Sequence, residues 1–549
     1  MKLVSVAQMK SIEAASDAAG HSYAAMMDRA GAAVAQAIQQ RVSVKGRRVL
    51  ILVGPGNNGG DGLVAALHLR MAGAEVACCL LQTRDDARAA AAREAGAFIA
   101  ALPDDRGQRV LRRFSLGADV VVDALFGTGA RLPLPADAQK LLNTVRGEIQ
   151  ARRAGVNAMN APTEPAPLPS VLVVAIDGPS GMDFDSGAID PAALPADLSV
   201  TFAYPKLGHT RFPAAESVGQ LIVADIGSDP SLASEVALEL ADAGLVRPLL
   251  PARPAGAHKG TFGKVMIVAG SVHYTGAPAL AGLAAYRSGA GLVTLAVPRS
   301  ILPIVAGLIE ATFLPLPDVL GVITEDAVPI LSRSLEGYRA LLLGPGLTRE
   351  KEAAAFVDRL LGGQAAARKP MGFGARPGAD SETGHLDLPP LVVDADGLNI
   401  LSEMQDGWKR LPESSVLTPH VGEMARLTGM SVDAIEADRV GTASKFAQQW
   451  RHVVVLKGAF TVVAGTDDRV VVMPFANPAL ATAGSGDVLA GTIAGLRAQG
   501  LAAFEAALCG AYLHGLAGEL ARREIGVSGV VAGDLAARLP AALRAIVQT

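Results

Sequence analysis

Short apolar runs recur along the whole chain, and each is followed by glycines and then by an Ala-rich stretch with helical periodicity. The runs are rich in Val, Leu and Ile and have the length of strands that are buried on both faces. They cover residues 49–53, 120–124, 171–176, 265–269, 340–343, 391–393 and 453–456. This alternation of strand, turn and helix predicts parallel α/β sheets in both halves of the chain.

A length of 549 residues exceeds what one ordinary hydrophobic core supports, so we expect two domains. The halves share no motif, which favours two different α/β domains over a repeat. A turn-rich segment at 227–230 and a proline-rich segment at 247–256 mark the boundary, with a predicted helix at 232–245 between them. We place the domains at 1–235 and 236–549. Segments 151–170 and 362–390 lack periodicity and are predicted to be flexible surface insertions.

Composition narrows the class of protein. Hydrophobic residues make up 50% and charged residues 19% of the chain, as in globular proteins. The net charge of -4 provides no broad positive field, which argues against nucleic-acid partners. No apolar stretch is long enough for a membrane span, and Glu13 and Asp17 interrupt any signal-peptide core, so a cytoplasmic protein is expected. The three cysteines show no pairing pattern and are predicted to be buried core residues.

A glycine-dense turn follows the first strand-like run and leads into a helix predicted over 63–71. Such a turn lets backbone N–H groups approach a phosphate, although a plain tight turn is the alternative. The turn reads Gly54-Pro55-Gly56-Asn57-Asn58-Gly59-Gly60-Asp61-Gly62. Asp123 and Asp177 stand at the ends of two further strands, within glycine-rich turns. Since the carboxyl ends of parallel strands form the ligand crevice, these acids are expected to converge on the turn, although either could be only a helix cap.

A second glycine-rich run, Gly484-Ser485-Gly486-Asp487, precedes a helix predicted over 488–496. Its backbone N–H groups would form an anion hole, and Asp487 could take a proton from an attacking hydroxyl, unless the run is a plain helix start. Lys457 follows the strand at 453–456 and supplies a cation. Acids at Asp394, Asp396 and Glu423 could organise Mg²⁺ on nucleotide phosphates.

The N-terminal half resembles the NAD(P)H-hydrate epimerase (YjeF N-terminal) domain. The resemblance rests on the motifs above and on the segments 7–13, 27–31 and 223–227. It implies a Rossmann-like three-layer α/β/α fold and a K⁺ ion held by Asn58, Asp123 and Ser180. It also implies that the hydrated nucleotide contacts Asn57, Asn58, Gly59, Gly60, Asp61, Gly127, Thr128, Gly129, Ala130, Arg131, Leu132, Pro133 and Asp177.

The C-terminal half resembles the ADP/ATP-dependent NAD(P)H-hydrate dehydratases of the ribokinase-like superfamily. The motifs are His258-Lys259-Gly260-Thr261-Phe262-Gly263, Ala269-Gly270-Ser271, Tyr274-Thr275-Gly276-Ala277-Pro278, the run 287–293 and the run 343–347. The resemblance implies that the hydrate contacts Ala277, Gly346, His420 and Asp487. It further implies that ADP contacts Lys457, Gly458, Ala459, Phe460, Thr461 and Gly486. Ser485 departs from the small apolar residue that we expect at its position.

Together these resemblances imply a bifunctional enzyme that repairs NADHX and NADPHX, the hydrates of NADH and NADPH, with ADP as co-substrate. Asp487 is the expected base for phosphorylation of the ring hydroxyl at C6. Asp177 is the candidate acid/base for epimerisation, if partial burial raises its pKa towards neutrality, or it only orients the substrate. His420 either contacts ligand or is a structural turn residue, and His514 is expected to be a core residue. A homo-oligomer is also expected.

Two other functions are compatible with parts of the sequence. The C-terminal half could be a small-molecule kinase for a vitamin-precursor alcohol, with a non-catalytic N-terminal binding domain. Alternatively, the N-terminal half alone could be a binding scaffold. The presence of Asp123 and Asp177 argues against the scaffold, and the segments 258–263 and 274–278 argue against the kinase.

Overall fold

The computed structural model describes residues 1–154, 171–362 and 386–548. The chain divides into two compact units. The N-terminal unit is Lys2–Val236, and the C-terminal unit is Ala237–Thr549 together with Met1. Each unit has its own sheet, as the alternation of apolar runs predicts.

The sheet of the N-terminal unit has seven strands, and every neighbouring pair is parallel. The strands are β1 (Arg48–Val53), β2 (Glu75–Leu80), β3 (Phe98–Ala101), β4 (Val120–Ala124), β5 (Leu172–Ile176), β6 (Leu198–Phe202) and β7 (Gln220–Ala224). Their order is β3-β2-β1-β4-β5-β6-β7. The direction of the sequence order reverses between β1 and β4, which is where ligand crevices open in such sheets.

Helices cover both faces of this sheet. They are α1 (Val6–Ala18), α2 (Tyr23–Gln39), α3 (Asn57–Met71), α4 (Ala87–Glu94), α5 (Arg109–Gly117), α6 (Ala136–Ala154) and α7 (Ala215–Val218). Alternate side chains of β1 enter opposite cores: Ile51 packs in the core that contains Leu63 of α3, and Leu52 in the core that contains Leu141 of α6. Burial on both faces explains why the strand reads as an unbroken apolar run, and it gives the expected three-layer α/β/α arrangement.

The C-terminal unit has a ten-stranded mixed sheet and a separate two-stranded ribbon. The strands are β8 (Leu238–Leu240), β9 (Lys264–Val268), β10 (Leu292–Pro298), β11 (Thr312–Leu316), β12 (Asp318–Val319), β13 (Val322–Ile323), β14 (Ala340–Leu343), β15 (Leu391–Val393), β16 (Val416–Leu417), β17 (Val453–Leu456), β18 (Val462–Ala464) and β19 (Val470–Val472). The order of the large sheet is β11-β10-β9-β14-β15-β16-β17-β18-β19-β8. Only β18 runs antiparallel to its neighbours, and β8 pairs in parallel with β19 at the edge.

Helices again lie on both faces of the large sheet. They are α8 (Ala243–Val246), α9 (Ala277–Arg287), α10 (Leu302–Val305), α11 (Val328–Ser334), α12 (Lys351–Leu361), α13 (Asp396–Glu403), α14 (Val421–Thr428), α15 (Val432–Ala437), α16 (Arg439–Trp450), α17 (Ser485–Ala498), α18 (Ala503–Ile525) and α19 (Ala532–Gln548). Helix α17 packs against α9 and α18 and buries every residue from Val488 to Ala498. A helix that is apolar all round is typical of a position inside a core.

Three expectations about local structure require correction. The helix predicted over 232–245 is wrong: this stretch contains the end of a 3₁₀ turn (Pro230–Ala233), the edge strand β8 and the start of the short helix α8, because Leu238 and Leu240 extend the large sheet. Helix α3 begins at Asn57, six residues before the predicted start. The predicted insertion at 151–170 begins inside α6, which continues to Ala154; residues 155–170 and 363–385 of the two insertions lie outside the described residues.

The three cysteines are buried and unpaired, as expected from their spacing. No helix within residues 1–154, 171–362 or 386–548 is long and apolar enough to cross a lipid bilayer.

Candidate active sites

Only residues 54–56 of the glycine-rich segment form a turn before α3, and residues 57–62 already belong to the start of that helix. Its glycines are required by close packing: a Cβ on Gly59 would lie 2.0 Å from the carbonyl oxygen of Gly54, and one on Gly54 would lie 1.7 Å from that of Leu125. Gly62 likewise packs on Ala124 of β4. The backbone of the helix start is therefore held against the carboxyl ends of β1 and β4, with its N–H groups at a helix N-terminus.

Asp123 and Ser180 form a fully buried pair at this edge of the sheet. The Ser180 hydroxyl donates to Oδ1 of Asp123 at 2.6 Å, and the Ser180 amide donates to Oδ2 at 2.8 Å. The amide of Leu125 is a third donor, at 3.3 Å. Burial raises the pKa of Asp123, and hydrogen bonds from Ser180 offset part of that effect. Among the described residues its hydrogen-bond donors carry no charge, so a bound cation would fit beside this carboxylate.

Asn58 and Asp177 meet at Gly127. A Cβ on Gly127 would lie 2.9 Å from Oδ1 of Asn58 and 3.4 Å from Oδ2 of Asp177. Asn58 is buried, and its Nδ2 has no hydrogen-bond partner in the described part of the chain. A buried amide without a partner costs free energy, which a ligand could recover.

The rest of the 127–133 segment contributes less to this cluster. Thr128 and Ala130 are half-buried, whereas Gly129, Arg131, Leu132 and Pro133 are exposed. The amide of Ala130 donates to the carbonyl oxygen of Gly127 at 2.9 Å and closes a tight turn. The structure thus brings Gly127 against Asn58 and Asp177 and leaves residues 129 and 131–133 at the surface.

Asp177 is ion-paired, which contradicts the premise that burial would raise its pKa. Its Oδ1 accepts from Nζ of Lys206 at 2.7 Å and from Oγ1 of Thr201 at 2.7 Å. Burial alone raises the pKa of the carboxyl, but the charge of Lys206 and the hydrogen bonds outweigh burial and lower it. Asp177 is therefore ionised at neutral pH, so it is suited to accept a proton or to stabilise a cation and not to donate a proton.

Two carboxyls next to this ion pair behave in the opposite way. Burial, together with the charges of Asp177 and Glu13, raises the pKa of Asp61 well above its usual range. Burial also raises the pKa of Glu13, on α1. The N-terminal cluster therefore holds carboxyl groups whose environments move their pKa values apart, which is typical of acid–base sites.

In the C-terminal unit, the Gly484–Asp487 run forms the start of α17. Gly484 caps the helix with φ of 85°, a left-handed conformation that favours glycine. The amide of Ser485 donates to the carbonyl oxygen of Thr482 at 3.2 Å. The amides of Gly486 and Asp487 have no acceptor inside the helix, so these two are available to an anion. Ser485, the departure from the expected pattern, is buried, and its Oγ lies 3.0 Å from Nε2 of His514 on α18. That hydrogen bond gives a polar side chain a partner at this position; His514 is buried, as expected.

Lys457, whose side chain is 16% exposed, and the buried Asp394 form an ion pair beside this helix start. Nζ of Lys457 donates to Oδ1 of Asp394 at 2.5 Å, and Thr418 donates to the same oxygen at 2.7 Å. A Cβ on Gly486 would lie 3.5 Å from Nζ of Lys457 and 3.6 Å from Oδ2 of Asp394. Lys457, Asp394 and Gly486 thus converge at the carboxyl ends of β15 and β17.

Asp487 and Glu423 are the other two acidic residues of this cluster. Burial raises the pKa of Asp487 to about 7, with a further contribution from the charge of Asp394. Burial also raises the pKa of Glu423 to about 7. The charge of Asp394 raises this pKa further, whereas Lys457, with Nζ 3.6 Å from Oε2 of Glu423, lowers it. Three carboxylates share one lysine, so the cluster has excess negative charge that a divalent cation would offset.

His420 is the N-cap of α14. Its Nδ1 accepts from the amide of Gly422 at 2.9 Å, and its own amide donates to the carboxylate of Glu423 at 2.8 Å. The imidazole nevertheless remains half-exposed, with Nε2 3.4 Å from Oε1 of Glu423. The two interpretations of His420 are therefore compatible, because a capping residue can still face a ligand.

Ala277, at the start of α9, lies against the turn that follows β14. A Cβ on Gly346, whose φ is 66°, would lie 3.1 Å from Cβ of Ala277. In the same turn, a Cβ on Gly344 would lie 1.9 Å from the carbonyl oxygen of Asp394. The two predicted hydrate contacts are thus adjacent to each other and to the strand end that carries Asp394.

Residues 458–461 form a tight turn after Lys457. The Thr461 hydroxyl donates to the carbonyl oxygen of Gly458 at 2.8 Å. The amide of Phe460 donates to the carbonyl oxygen of Phe475 at 2.8 Å, and Ala459 lies between them at the surface. Arg439 donates to the carbonyl oxygens of Leu456 and Lys457 at 3.0 Å and holds the start of the turn.

Sequence reasoning missed Lys206, Thr201 and His209 in the N-terminal unit. Asp177 directly follows β5, whereas Lys206 lies four residues beyond the end of β6, so only a search for cations that extended several residues past each strand would have found it. His209 and Thr201 carry no comparable pattern, since only the fold places them beside Asp177.

The fold and the two clusters define a class: a two-domain α/β enzyme with a glycine-rich helix start and buried carboxylates in each domain. Two family profiles match the chain, "YjeF-related protein N-terminus" over residues 23–208 and "NAD(P)H-hydrate dehydratase" over residues 265–541. The bifunctional NAD(P)H-hydrate repair enzyme of Moorella thermoacetica is 39% identical over 94% of this chain and 92% of its own length. The enzyme of the same description from Escherichia coli is 33% identical, over 95% and 90%.

Among solved structures, the chain is similar to the ADP/ATP-dependent NAD(P)H-hydrate dehydratase of Bacillus subtilis, co-crystallised with ATP and Mg²⁺. The identity is 30%, with a TM-score of 0.45, over 56% of this chain and 98% of the other. The chain belongs to the family of bifunctional NAD(P)H-hydrate repair enzymes, which joins an NAD(P)HX epimerase domain to a ribokinase-like NAD(P)HX dehydratase domain. The family inferred from the motifs is therefore confirmed. Neither the kinase nor the scaffold alternative is required to explain the sequence.

Proposed function

We propose that residues 1–235 interconvert the R and S forms of NADHX and NADPHX at C6, and that residues 236–549 dehydrate the S form with ADP. The products of the second reaction are NAD(P)H, AMP and phosphate. The observation that carries this proposal is Asp487, a buried carboxyl with a pKa of about 7 in the first turn of α17. A general base works best when its pKa lies near the operating pH.

In the dehydratase site, the chemistry requires a good leaving group in place of hydroxide. Asp487 takes the proton of the C6 hydroxyl as that oxygen attacks the terminal phosphorus of ADP, and AMP departs. The free amides at the start of α17 and the ammonium of Lys457 stabilise the charge on the transferred phosphoryl group. Phosphate then leaves C6 and the ring loses a proton from C5, which restores the dihydronicotinamide.

The ligand contacts of this site follow from the placement of its residues. We assign Ala277, Gly346, His420 and Asp487 to the hydrate, and Gly486 with residues 457–461 to the adenine nucleotide. Asp394 and Glu423 are the carboxylates that would hold Mg²⁺, which would neutralise phosphate charge when it is bound with the nucleotide. Across the described ranges no three His, Cys, Asp or Glu side chains are placed to hold one metal ion, so phosphates and water would complete its shell.

In the epimerase site, we assign a K⁺ ion to Asn58, Asp123 and Ser180. The support is the buried Asp123 carboxylate, whose hydrogen-bond donors carry no charge. The amide oxygen of Asn58 is the atom that would face K⁺, while its unpartnered Nδ2 is a donor that would meet an acceptor of the hydrated nucleotide. K⁺ bound there would offset the charge of Asp123 beside the start of α3. We assign the hydrated nucleotide to Asn57, Asn58, Gly59, Gly60 and Asp61, to residues 127–133 and to Asp177.

Epimerisation exchanges water at C6. The C6 hydroxyl takes up a proton from the surrounding water and leaves as water, while the lone pair of the ring nitrogen forms a C=N bond. Water then adds to the opposite face. The ionised carboxylate of Asp177 stabilises the cationic ring and accepts the proton of the incoming water. Since one proton is taken up and one is released, the reaction needs no other reactant.

The test is recovery of dihydronicotinamide absorbance from purified S and R hydrates of NADH, with ADP, with ATP and without nucleotide. We expect recovery from both epimers with ADP and none without nucleotide, and Asp487→Asn is expected to abolish recovery from both. Absence of recovery in the wild type under every condition would overturn the proposal. We further propose a homo-oligomer that acts in the cytoplasm, which light scattering and cell fractionation test.

A further inference from the structure

Lys206 is one of the most deeply buried long side chains of the N-terminal unit, with 2% of its surface exposed. An ammonium group has three N–H donors, and burial makes an unused donor costly. Nζ of Lys206 finds three acceptors: Oδ1 of Asp177 at 2.7 Å, Oγ1 of Thr201 at 2.8 Å and the carbonyl oxygen of Phe202 at 3.3 Å. No donor is left for a substrate, so any contribution of Lys206 to the reaction passes through Asp177.

The backbone of Asp177 is held by the same segment. The amide of Lys206 donates to Nδ1 of His209 at 2.9 Å, so the neutral ring carries its proton on Nε2 and donates it to the carbonyl oxygen of Asp177 at 2.8 Å. Burial lowers the pKa of His209 to about 4, which keeps the ring neutral. These bonds secure Asp177 at φ of 67°, a left-handed conformation that is uncommon for residues other than glycine.

The two oxygens of the Asp177 carboxylate have different surroundings. Oδ1 accepts both Lys206 and Thr201, whereas Oδ2 lies towards Gly127, beside Asn58. A carboxylate with one oxygen anchored and the other facing a predicted substrate contact is oriented for a reaction at the second oxygen.

We propose that Lys206 is a positioning residue of the epimerase site, which anchors Oδ1 of Asp177 so that Oδ2 faces the ring of the hydrated nucleotide at Gly127. The inference rests on the proposed role of Asp177 in epimerisation. The charged and titratable groups around this carboxylate are Lys206 and His209 from the segment after β6, Asp61 from α3 and Glu13 from α1. Of these, only Lys206 carries a positive charge at neutral pH, so its removal leaves Asp177 buried among other carboxyls.

Lys206→Met tests the proposal through the pH profile of R-epimer conversion, followed by coupling to excess dehydratase activity on the S epimer. Without the ammonium, burial and the neighbouring carboxyls raise the pKa of Asp177, and the reaction needs its ionised form. We expect kcat to fall at least tenfold near pH 7, with a smaller change in KM, and the acid limb of the profile to move at least one pH unit upward. Lys206→Arg keeps the positive charge, so we expect the acid limb of its pH–rate profile to lie near that of the wild type.

Lys45→Met is the matched control, because Lys45 is an exposed lysine just before β1, near the amino ends of the strands and away from the carboxyl ends that carry the site. We expect it to leave both the rate and the limb unchanged. Thr201→Val provides a milder test if Lys206→Met does not fold: it removes one donor to Oδ1 and is expected to move the limb upward by a smaller amount. If the acid limb of the pH–rate profile lies at the wild-type pH in the variants that fold, the positioning role is overturned.

Asp177→Asn separates this inference from the function on which it rests. If Asp177→Asn converts the R epimer as fast as the wild type, the proposed epimerase mechanism fails. If Asp177→Asn is inactive while the Lys206 and Thr201 variants keep the wild-type pH profile, only the role of Lys206 fails. Dehydration of the S epimer, which takes place in the other unit, reports whether each variant remains a competent enzyme.

Discussion

Asp487 illustrates how one side chain can serve catalysis at the expense of stability. Its pKa is about 7 in the folded protein against 3.8 for an ordinary aspartate, because the carboxylate is buried near Asp394. When the folded pKa lies above the unfolded value, the contribution to stability is fully present below the unfolded pKa. It is then lost as pH rises through the folded pKa, here between about pH 4 and 7.

Asp487→Asn is therefore expected to stabilise the C-terminal unit while it abolishes dehydration. The neutral amide removes the cost of a buried charge, so the variant should have a larger free energy of unfolding than the wild type. We expect this gain to be about 1–2 kcal/mol larger at pH 8 than at pH 5, a figure that allows for solvent around the carboxyl. Both tryptophans of the protein, Trp408 and Trp450, lie in this unit with their rings 6.1 Å apart, so urea unfolding followed by tryptophan fluorescence reports on it alone.

Asp433→Asn is the control, since Asp433 is exposed in the first turn of α15. It is expected to change the unfolding free energy by a few tenths of a kcal/mol at either pH. An Asp487→Asn protein that is less stable than the wild type at pH 8 would contradict our account of this carboxyl.

At the scale of elements, helix α3 shows how packing can override helix propensity. Three glycines lie within its first six residues, and glycine in a helix costs about 1 kcal/mol relative to alanine. The segment is helical nevertheless, because only glycine lets this turn approach the backbone at Gly54 and the end of β4. The close approach in turn places Asn58 beside Gly127.

Gly59→Ala is expected to disrupt this helix start. Its Cβ would lie 2.0 Å from the Gly54 carbonyl oxygen, which belongs to the backbone and cannot move aside cheaply. We expect a loss of about 3 kcal/mol or more in the N-terminal unit and loss of R-epimer conversion. Far-UV circular dichroism and conversion of the R epimer check this, while tryptophan fluorescence should show an unchanged C-terminal transition.

Gly56→Ala is the matched control, because a Cβ on Gly56 would have no atom within 4 Å and its φ is -93°. It is expected to keep both the fold and the activity. Equal effects of the two substitutions would show that flexibility of the segment matters more than its packing.

The elements that the sequence predicts well are those with a strong local pattern. Strands β4, β14, β15 and β17 begin and end where their apolar runs do, because burial on both faces leaves Asp123 as the one polar residue in these four strands. Strand β8 has only three residues, too few to show a period, and its place is decided by β19. The start of α3 could not be predicted because low helix propensity was compensated by tertiary contacts.

The candidate sites follow the same rule. Asp123, Asp177, Lys457 and Asp487 could be found because each stands in a recognisable turn at a strand or helix end. The ion pair between Asp177 and Lys206 could not, since their separation along the chain gives no indication that they meet, and this pair reverses the expected direction of the Asp177 pKa.

On the scale of the whole molecule, each unit has its own core and its own cluster of titratable residues. The two reactions should therefore be separable by single substitutions in the intact chain. We expect Asp177→Asn to leave the dehydration of S-NADHX within about twofold of the wild-type rate, since it changes no residue of the C-terminal unit.

An equal mixture of the two epimers makes this separation visible. With ADP in excess, the wild type should convert the whole mixture, whereas Asp177→Asn should convert the S half and then slow to the rate of spontaneous epimerisation. The time course of dihydronicotinamide absorbance checks both amplitudes. A single complete phase in the variant would show that Asp177 is dispensable.

The edge strand β8 has a consequence for the order in which the protein is made. It pairs with β19: Leu238 lies opposite Val470, which is about 230 residues further along the chain. During synthesis from the N-terminus, β8 leaves the ribosome long before its partner exists, so its backbone amides must remain solvated or be shielded by other contacts until then. The large sheet can thus be completed only late in translation, whereas every strand of the first sheet has by then been available for pairing.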